Sequence, residues 1–348
     1  MNTPNLFSFA PSELSQDAFF AWLFSFADKK YQNGFKDLHE VSQKLLYAFI
    51  QKCRPDFQID IQAVDVKTQY SFTINELIDG KIKKKRRKID ILIVINDDFR
   101  IVIESKTNSK EHGNQLYDYA KHAIEKNWDF IGIYLKTGNE AKCFLNQIPI
   151  KTRELGIKFE IFNRQEILSV LNSYPNIDND IFISYLSYLQ NIEDKTQSFK
   201  SLPIKDWNSR SWQGLYEYLD NLNHLSWWDY VPNPSGGFWA ANFKKSTWQD
   251  YSVVFAIHQQ TLVFGVFVTE KDKQTKIRNQ FSQFLLKSAK EQGLSHITKP
   301  KFGKGEFMQV AQIKQKDWLG GDDERIDLEN VVSILNKYHA FFQILSDK

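Results

Sequence analysis

The amino-acid sequence predicts an α/β protein in two parts: an N-terminal α/β/α core with a mixed sheet, and a C-terminal α+β domain with an antiparallel sheet. Three observations carry this. Two β-branched apolar runs, 88–95 and 99–106, flank the polar segment Asn96-Asp97-Asp98, the pattern of a hairpin whose strands are buried on both faces. A helix-period segment at 111–126 leads into the apolar run Phe130-Ile131-Gly132-Ile133-Tyr134-Leu135, and a strand reached through a crossover helix lies parallel to the one before it. Composition then shifts at Glu193-Asp194-Lys195-Thr196-Gln197-Ser198, with Pro203 close behind, and the segments beyond are rich in aromatics. A first domain is therefore expected at 1–195, a linker at 196–206 and a second domain at 207–348.

The elements follow in order. Leu14, Ala18, Phe19 and Trp22 predict a helix over 12–28; Leu38, Val41, Leu45, Leu46 and Phe49 predict another over 36–53, ended by Pro55. Strands are expected at 57–66, 69–76, 88–95 and 99–106, an antiparallel meander with basic residues at its tip. A strand at 157–162 and helices at 164–172 and 178–191 complete the first domain. The second reads as a helix at 209–221, strands at 227–231, 237–244, 250–258 and 261–269, a helix at 272–292, a hairpin across Gly303-Lys304-Gly305 and a terminal helix at 326–345.

The central hairpin concentrates chemistry. With its turn centred on Asp97, residues whose numbers sum to 194 oppose each other, which sets Asp90 across from Glu104. Side chains alternate along a strand, so Glu104 and Lys106 share the side of that cross-strand partner. Two carboxylates and a lysine thus converge at the rim of an apolar sheet, where each buried charge costs several kcal/mol unless paired or holding a metal. A hard divalent cation, Mg²⁺ or Mn²⁺, fits such a set, with Asp90, Glu104 and the backbone carbonyl of Ser105 as the protein's ligands. The Ser105 side chain points to the opposite strand face, so a serine-nucleophile reading fails.

The order of an Asp, a hairpin and then Glu104-Ser105-Lys106 resembles the PD-(D/E)XK nuclease superfamily. In Gln115-Leu116-Tyr117-Asp118-Tyr119, the Gln and the second Tyr sit four apart on one helix face, which is similar to the Q-x-x-x-Y signature of its RecB-like branch. The acidic start of the first helix, Glu13-Leu14-Ser15-Gln16-Asp17-Ala18-Phe19-Phe20, looks like the opening of bacterial members of the superfamily. The resemblance covers about residues 10 to 190. It implies a restriction-endonuclease-like core and metal-dependent phosphodiester hydrolysis. Asp90, Glu104, Lys106, Gln115, Tyr119 and Glu13 would be its active-site residues, DNA its substrate, and bacterial defence or restriction its setting. The alternative from another class is a catalytically silent nucleic-acid-binding or sensing module on the same fold.

Lys81-Ile82-Lys83-Lys84-Lys85-Arg86-Arg87-Lys88 ends two residues before Asp90. Lys83, Lys84, Lys85, Arg86, Arg87 and Lys88 are expected to grip a phosphate backbone, without information about base sequence. The formal net charge of +3 is too small to mark the whole chain as a nucleic-acid binder. Cys53 and Cys143 lack metal-site spacing and read as reduced thiols. The seven histidines are scattered without zinc-ligand spacing. With no signal-peptide order and no long apolar window, neither secretion nor membrane spanning is expected, and a cytoplasmic location is. The aromatics Trp227, Trp228, Tyr230, Phe238 and Trp239 read as core first and as a base-stacking or partner surface second. A homodimer or protein-partner contact is assigned to this C-terminal half.

Overall fold

In a computed structural model that describes residues 4–78, 81–234 and 236–346, the chain divides into two compact units: Met1–Glu140 with Phe144–Glu193, and Ala141–Cys143 with Asp194–Lys348. Residues 196–206, where the sequence reads a linker, contain the end of a helix and two 3₁₀ turns, with Thr196, Phe199 and Ile204 buried.

The first unit opens with α1 (Leu6–Phe9), α2 (Glu13–Ser25) and α3 (Lys36–Cys53), continues through β1 (Val64–Ile78), β2 (Lys81–Ile95) and β3 (Phe99–Lys106), and crosses over through α4 (Gln115–Glu125) to β4 (Asp129–Lys136). The short α5 (Lys142–Leu145), β5 (Phe159–Asn163), α6 (Arg164–Leu171) and α7 (Asp180–Gln197) follow. The sheet runs β1-β2-β3-β4-β5, antiparallel across the first three strands and parallel across the last three. Strand alternation sorts the core into two layers. Ile91, Ile93, Ile101, Ile103, Ile131 and Ile133 face Phe20, Phe24, Leu45 and Phe49 of α2 and α3. Leu92, Val102, Phe130 and Tyr134 lie under Leu116, Tyr119, Ala120 and Ala123 of α4. The result is the α/β/α arrangement.

Two strand expectations need correction. No strand covers 57–63; the expected strands at 57–66 and 69–76 are one strand, β1, and the meander has three strands. The segment 81–88, expected at a tip, is itself strand. β1 and β2 run past the end of β3's ladder as a long two-stranded ribbon.

That ribbon contains one break in alternation. Val64 and Val66 belong to the α2/α3 layer, while Phe72, also even-numbered, belongs to the α4 layer; on β2, Ile91 and Ile89 divide in the same way. Both strands therefore change faces at one point. There Gln69 adopts a left-handed φ of 52°, and the ladder passes from Thr68↔Ile91 to Tyr70↔Ile89 without a Gln69–Asp90 pair. A non-glycine residue at positive φ in mid-strand is uncommon and concentrates at functional sites.

The second unit holds α8 (Ser209–Asn221), β6 (Trp227–Val231), β7 (Phe238–Asn242), β8 (Ser246–Trp248), β9 (Tyr251–His258), β10 (Thr261–Phe267), α9 (Gln274–Glu291), β11 (Phe307–Ile313) and α10 (Leu328–Ser346). Its sheet is antiparallel, in the order β11-β10-β9-β7-β6 with β8 on β9. The expected hairpin across Gly303-Lys304-Gly305 is absent among the described residues: the glycine-flanked loop enters β11, which pairs with β10, and only a single bridge, Thr298↔Gln312, lies before it. On the helix-covered face, Phe255 and Phe264 contact Phe342 of α10, with ring centroids 6.3 and 6.1 Å away. Among the described residues no helix is long and apolar enough to cross a membrane.

Candidate active site

The β2–β3 hairpin has the register its sequence implies, with Ile91↔Ile103, Leu92↔Val102 and Ile95↔Phe99 opposed. One step beyond the Ile91↔Ile103 pair, away from the turn, Asp90 Oδ2 accepts the Ser105 amide at 3.0 Å. Glu104 is fully buried, and its Oε1 forms an ion pair with Lys106 Nζ. Its Oε2 accepts the Tyr119 hydroxyl at 2.8 Å, a proton also directed at the Lys88 carbonyl. Gln115, one turn earlier on α4, hydrogen-bonds Tyr119 as well. Glu13, the first residue of α2, accepts the Thr107 amide at 3.1 Å and the Ser109 hydroxyl, which ties the chain leaving β3 to the helix. Asp90, Glu104, Lys106, Gln115, Tyr119, Glu13 and Ser105 are thus brought together.

The electrostatics follow from burial. Desolvation pushes Glu104 up to about 7, with Asp90 adding to the rise and Lys106 opposing it. Asp90 is raised by desolvation and partly held down by the Ser105 amide. Burial alone would depress Lys106, yet Glu104 and then Asp90 more than offset it, and its pKa is raised. The Lys106 ammonium is the one cation set against these two desolvated carboxylates among the described residues.

The donor set bears on which cation fits. Among the described residues no group of three or more His, Cys, Asp or Glu is placed to hold a metal ion. Two carboxylates and a carbonyl suffice for Mg²⁺ or Mn²⁺, which keep several waters. The Ser105 amide points at Asp90, and in a strand the carbonyl of the same residue faces the same neighbour. Asp90, Glu104 and the Ser105 carbonyl therefore fit a hard divalent ion.

The basic block divides by face. Lys84, Arg86 and Lys88 are exposed on the ribbon face away from α4, opposite the equally exposed Asn75, Thr73 and Ser71. Arg86 Nε donates to Ser71 Oγ at 2.8 Å. Lys85 and Arg87 alternate to the α4 face, where Arg87 Nε meets Asp118 Oδ2 at 2.6 Å. Arg87 is engaged in this ion pair and mostly buried, unlike the exposed Lys84, Arg86 and Lys88. The side chain of Lys83 lies outside the described residues.

Several residues at the site escape sequence reasoning. Gln16 donates to Ser105 Oγ at 2.8 Å and accepts from Thr137 and Tyr185, joining α2, β3, the end of β4 and α7. Asp17 is buried, its Oδ1 has no hydrogen bond, and desolvation lifts it to about 7. An acid directly before the apolar run Ala18-Phe19-Phe20 is the signal that could have found it. Gln69 Nε2 lies 3.3 Å from Asp90 Oδ1 at the strand break. Lys136 ends β4 beside Lys106, buried between Glu140 at 2.8 Å and the Ser109 carbonyl at 2.6 Å. At Gly138 an added Cβ would lie 2.1 Å from the Thr107 carbonyl, so only glycine admits this close approach of the two strand exits.

The fold and this constellation define a nuclease-type phosphodiesterase core. A profile described as the PD-(D/E)XK nuclease superfamily matches residues 4–226, and the chain belongs to that superfamily. The match takes in the whole hairpin and runs on through α8. Comparison with curated proteins and with solved structures finds no match.

Proposed function

We propose that this protein is a divalent-metal-dependent nuclease that hydrolyses phosphodiester bonds of DNA in a bacterial defence or restriction role. The observation that carries the reading is the convergence of Asp90, Glu104 and Lys106 in one buried cluster, with two acids raised by desolvation and a single ammonium against them. Asp90, Glu104 and the Ser105 carbonyl would hold Mg²⁺ or Mn²⁺, which when bound neutralises the scissile phosphate and lowers the pKa of a coordinated water.

The chain's own residues do the rest. Lys106, fixed by Glu104, presents an ammonium that orients the attacking water and stabilises charge developing on the phosphate. Tyr119 and Gln115 hold Glu104 from the α4 side, and Asp90 is held by the Ser105 amide from β3. Glu13 clamps Thr107 and Ser109, which fixes the segment that follows the lysine. Lys84, Arg86 and Lys88 draw the strand in through its phosphates. The defence role rests on the superfamily and on a second unit available for targeting or control, through a protein partner or a second copy.

The test is incubation with linear and circular duplex DNA, single-stranded DNA and RNA, each with Mg²⁺, Mn²⁺ or EDTA. Metal-dependent cutting of DNA is the expected result, and the circular substrate separates endonuclease from exonuclease action. Salt-sensitive binding with no cutting in either metal would reject the enzyme reading.

A further inference from the structure

One face of the second unit's sheet holds a cavity of about 470 Å³, lined by strand residues and by the loop before β11, with no helix residue in its lining. Strand alternation explains its lining. Phe255 and Phe264 turn toward α10, so Val254, His258, Phe267, Phe238 and Trp227 turn the other way. Phe307 closes the β11 side, and its position is made by the fold. The ladder shifts register between Phe264 and Gly265, and a Cβ on Gly265 would sit 2.2 Å from the Phe307 ring. Only glycine there lets the ring lie across β10. Trp228, by contrast, is core: it is buried, and its indole donates to Asp220 at 2.9 Å.

Polar groups in the cavity lack partners. The amide of Asn242, the imidazole of His258 and the ammonium of Lys301 have no hydrogen-bond or ion-pair partner among the described residues. The His258 ring lies against aromatic neighbours, with Phe238 and Phe307 centroids 4.8 and 5.7 Å away. Lys301 and Gly303 line the cavity from the loop that enters β11, Lys299 and Lys304 are exposed on the same loop, and Lys245 lies 4.6 Å over Phe267. A protein–protein core would be depleted of lysine. Flat rings around a slot, amide and imidazole groups to read a base edge, and cations spread beyond the slot match a base followed by its phosphates. Asp229 shares the face but does not line the cavity.

We propose that this cavity binds an unpaired nucleotide of a nucleic-acid strand, with the base among the Trp227, Phe238 and Phe307 rings and the flanking phosphates on the Lys299–Lys304 loop. The site is separate from the carboxylate cluster and stands whether or not the first unit cuts. It gives the protein a preference for single-stranded or distorted nucleic acid, because a paired base cannot enter.

The experiment uses the full-length chain in EDTA with a short single-stranded oligonucleotide carrying 2-aminopurine, whose fluorescence is quenched on stacking. Quenching should persist in Lys84→Ala/Arg86→Ala/Lys88→Ala, which removes the ribbon cations of the first unit. It should weaken about tenfold or more in Phe238→Leu and in the exposed-site variant Lys301→Glu. The same base in a duplex should not be quenched, and AMP should bind far more weakly than the oligonucleotide. Unchanged quenching in both cavity variants, or its loss in the ribbon variant alone, would overturn the proposal. AMP binding as tight as the oligonucleotide would replace the strand by a free nucleotide. A concentration-dependent dimer abolished by Phe238→Leu would give the face to a second copy of the chain.

Discussion

Removing the three outward cations of the ribbon, Lys84→Ala/Arg86→Ala/Lys88→Ala, separates backbone grip from fold. Each phosphate neutralised on duplex DNA adds about 0.9 to the slope of log affinity against log salt, so three contacts contribute about 2.7. Between about 50 and 200 mM salt that amounts to about 40-fold, which the wild type should lose in excess of the triple variant. Arg87→Ala is the control that the sequence alone would have placed in the same group. Its side chain is spent on Asp118, and both are mostly buried. Its loss should leave the salt slope unchanged and lower stability by about 1.5–3 kcal/mol, the worth of a hydrogen bond to a charged group. Fluorescence anisotropy against salt in EDTA measures the slope, and thermal melting measures the stability. An unchanged slope in the triple variant, or an equal fall in Arg87→Ala, would refute the division of the block by face.

Other outcomes follow from the same geometry. Tyr119→Phe deletes the hydroxyl that orients Glu104, so kcat should fall about tenfold to a hundredfold while oligonucleotide Kd in EDTA stays put. Gly138→Ala forces a methyl onto the Thr107 carbonyl, and should cost about 2 kcal/mol or more in melting while loosening the Glu13 clamp enough to reduce cutting. His258 is pushed down to about 4 by burial, below its ordinary 6.5. As pH falls the unfolded chain therefore takes up its proton first, and stability present above about 6.5 is lost on the way to about 4, by about 3 kcal/mol. His258→Asn should flatten that part of the melting profile; an unaltered acid limb would show that other groups set it.

How much of this was legible depends on whether the signal is local. The hairpin register, with Asp90, Glu104 and Lys106 together, follows from a two-residue period and one turn, and so does the Gln115–Tyr119 pair from a helical turn. The change of faces at Gln69 and Asp90 was not legible, because nothing in those two residue types announces a left-handed φ, so which face of the ribbon each residue of the basic block takes could not be read from the sequence. Gln16 and Asp17 reach the site from a helix about ninety residues away in sequence, which no spacing rule connects. Gly303-Lys304-Gly305 has hairpin composition, but the partner of β11 was β10, a non-local pairing. The two-faced character of the second sheet was likewise hidden, since aromatics facing a helix and aromatics facing an open cavity look alike in sequence.

The central claim is tested most directly by Lys106→Ala and Asp90→Asn beside the wild type, in a cleavage assay with Mg²⁺ and with EDTA. Melting curves establish that each variant is folded. Metal-dependent cutting by the wild type, abolished in both folded variants, is the predicted result. Cutting at wild-type rate by either folded variant would contradict the assignment of the hairpin cluster as the active site.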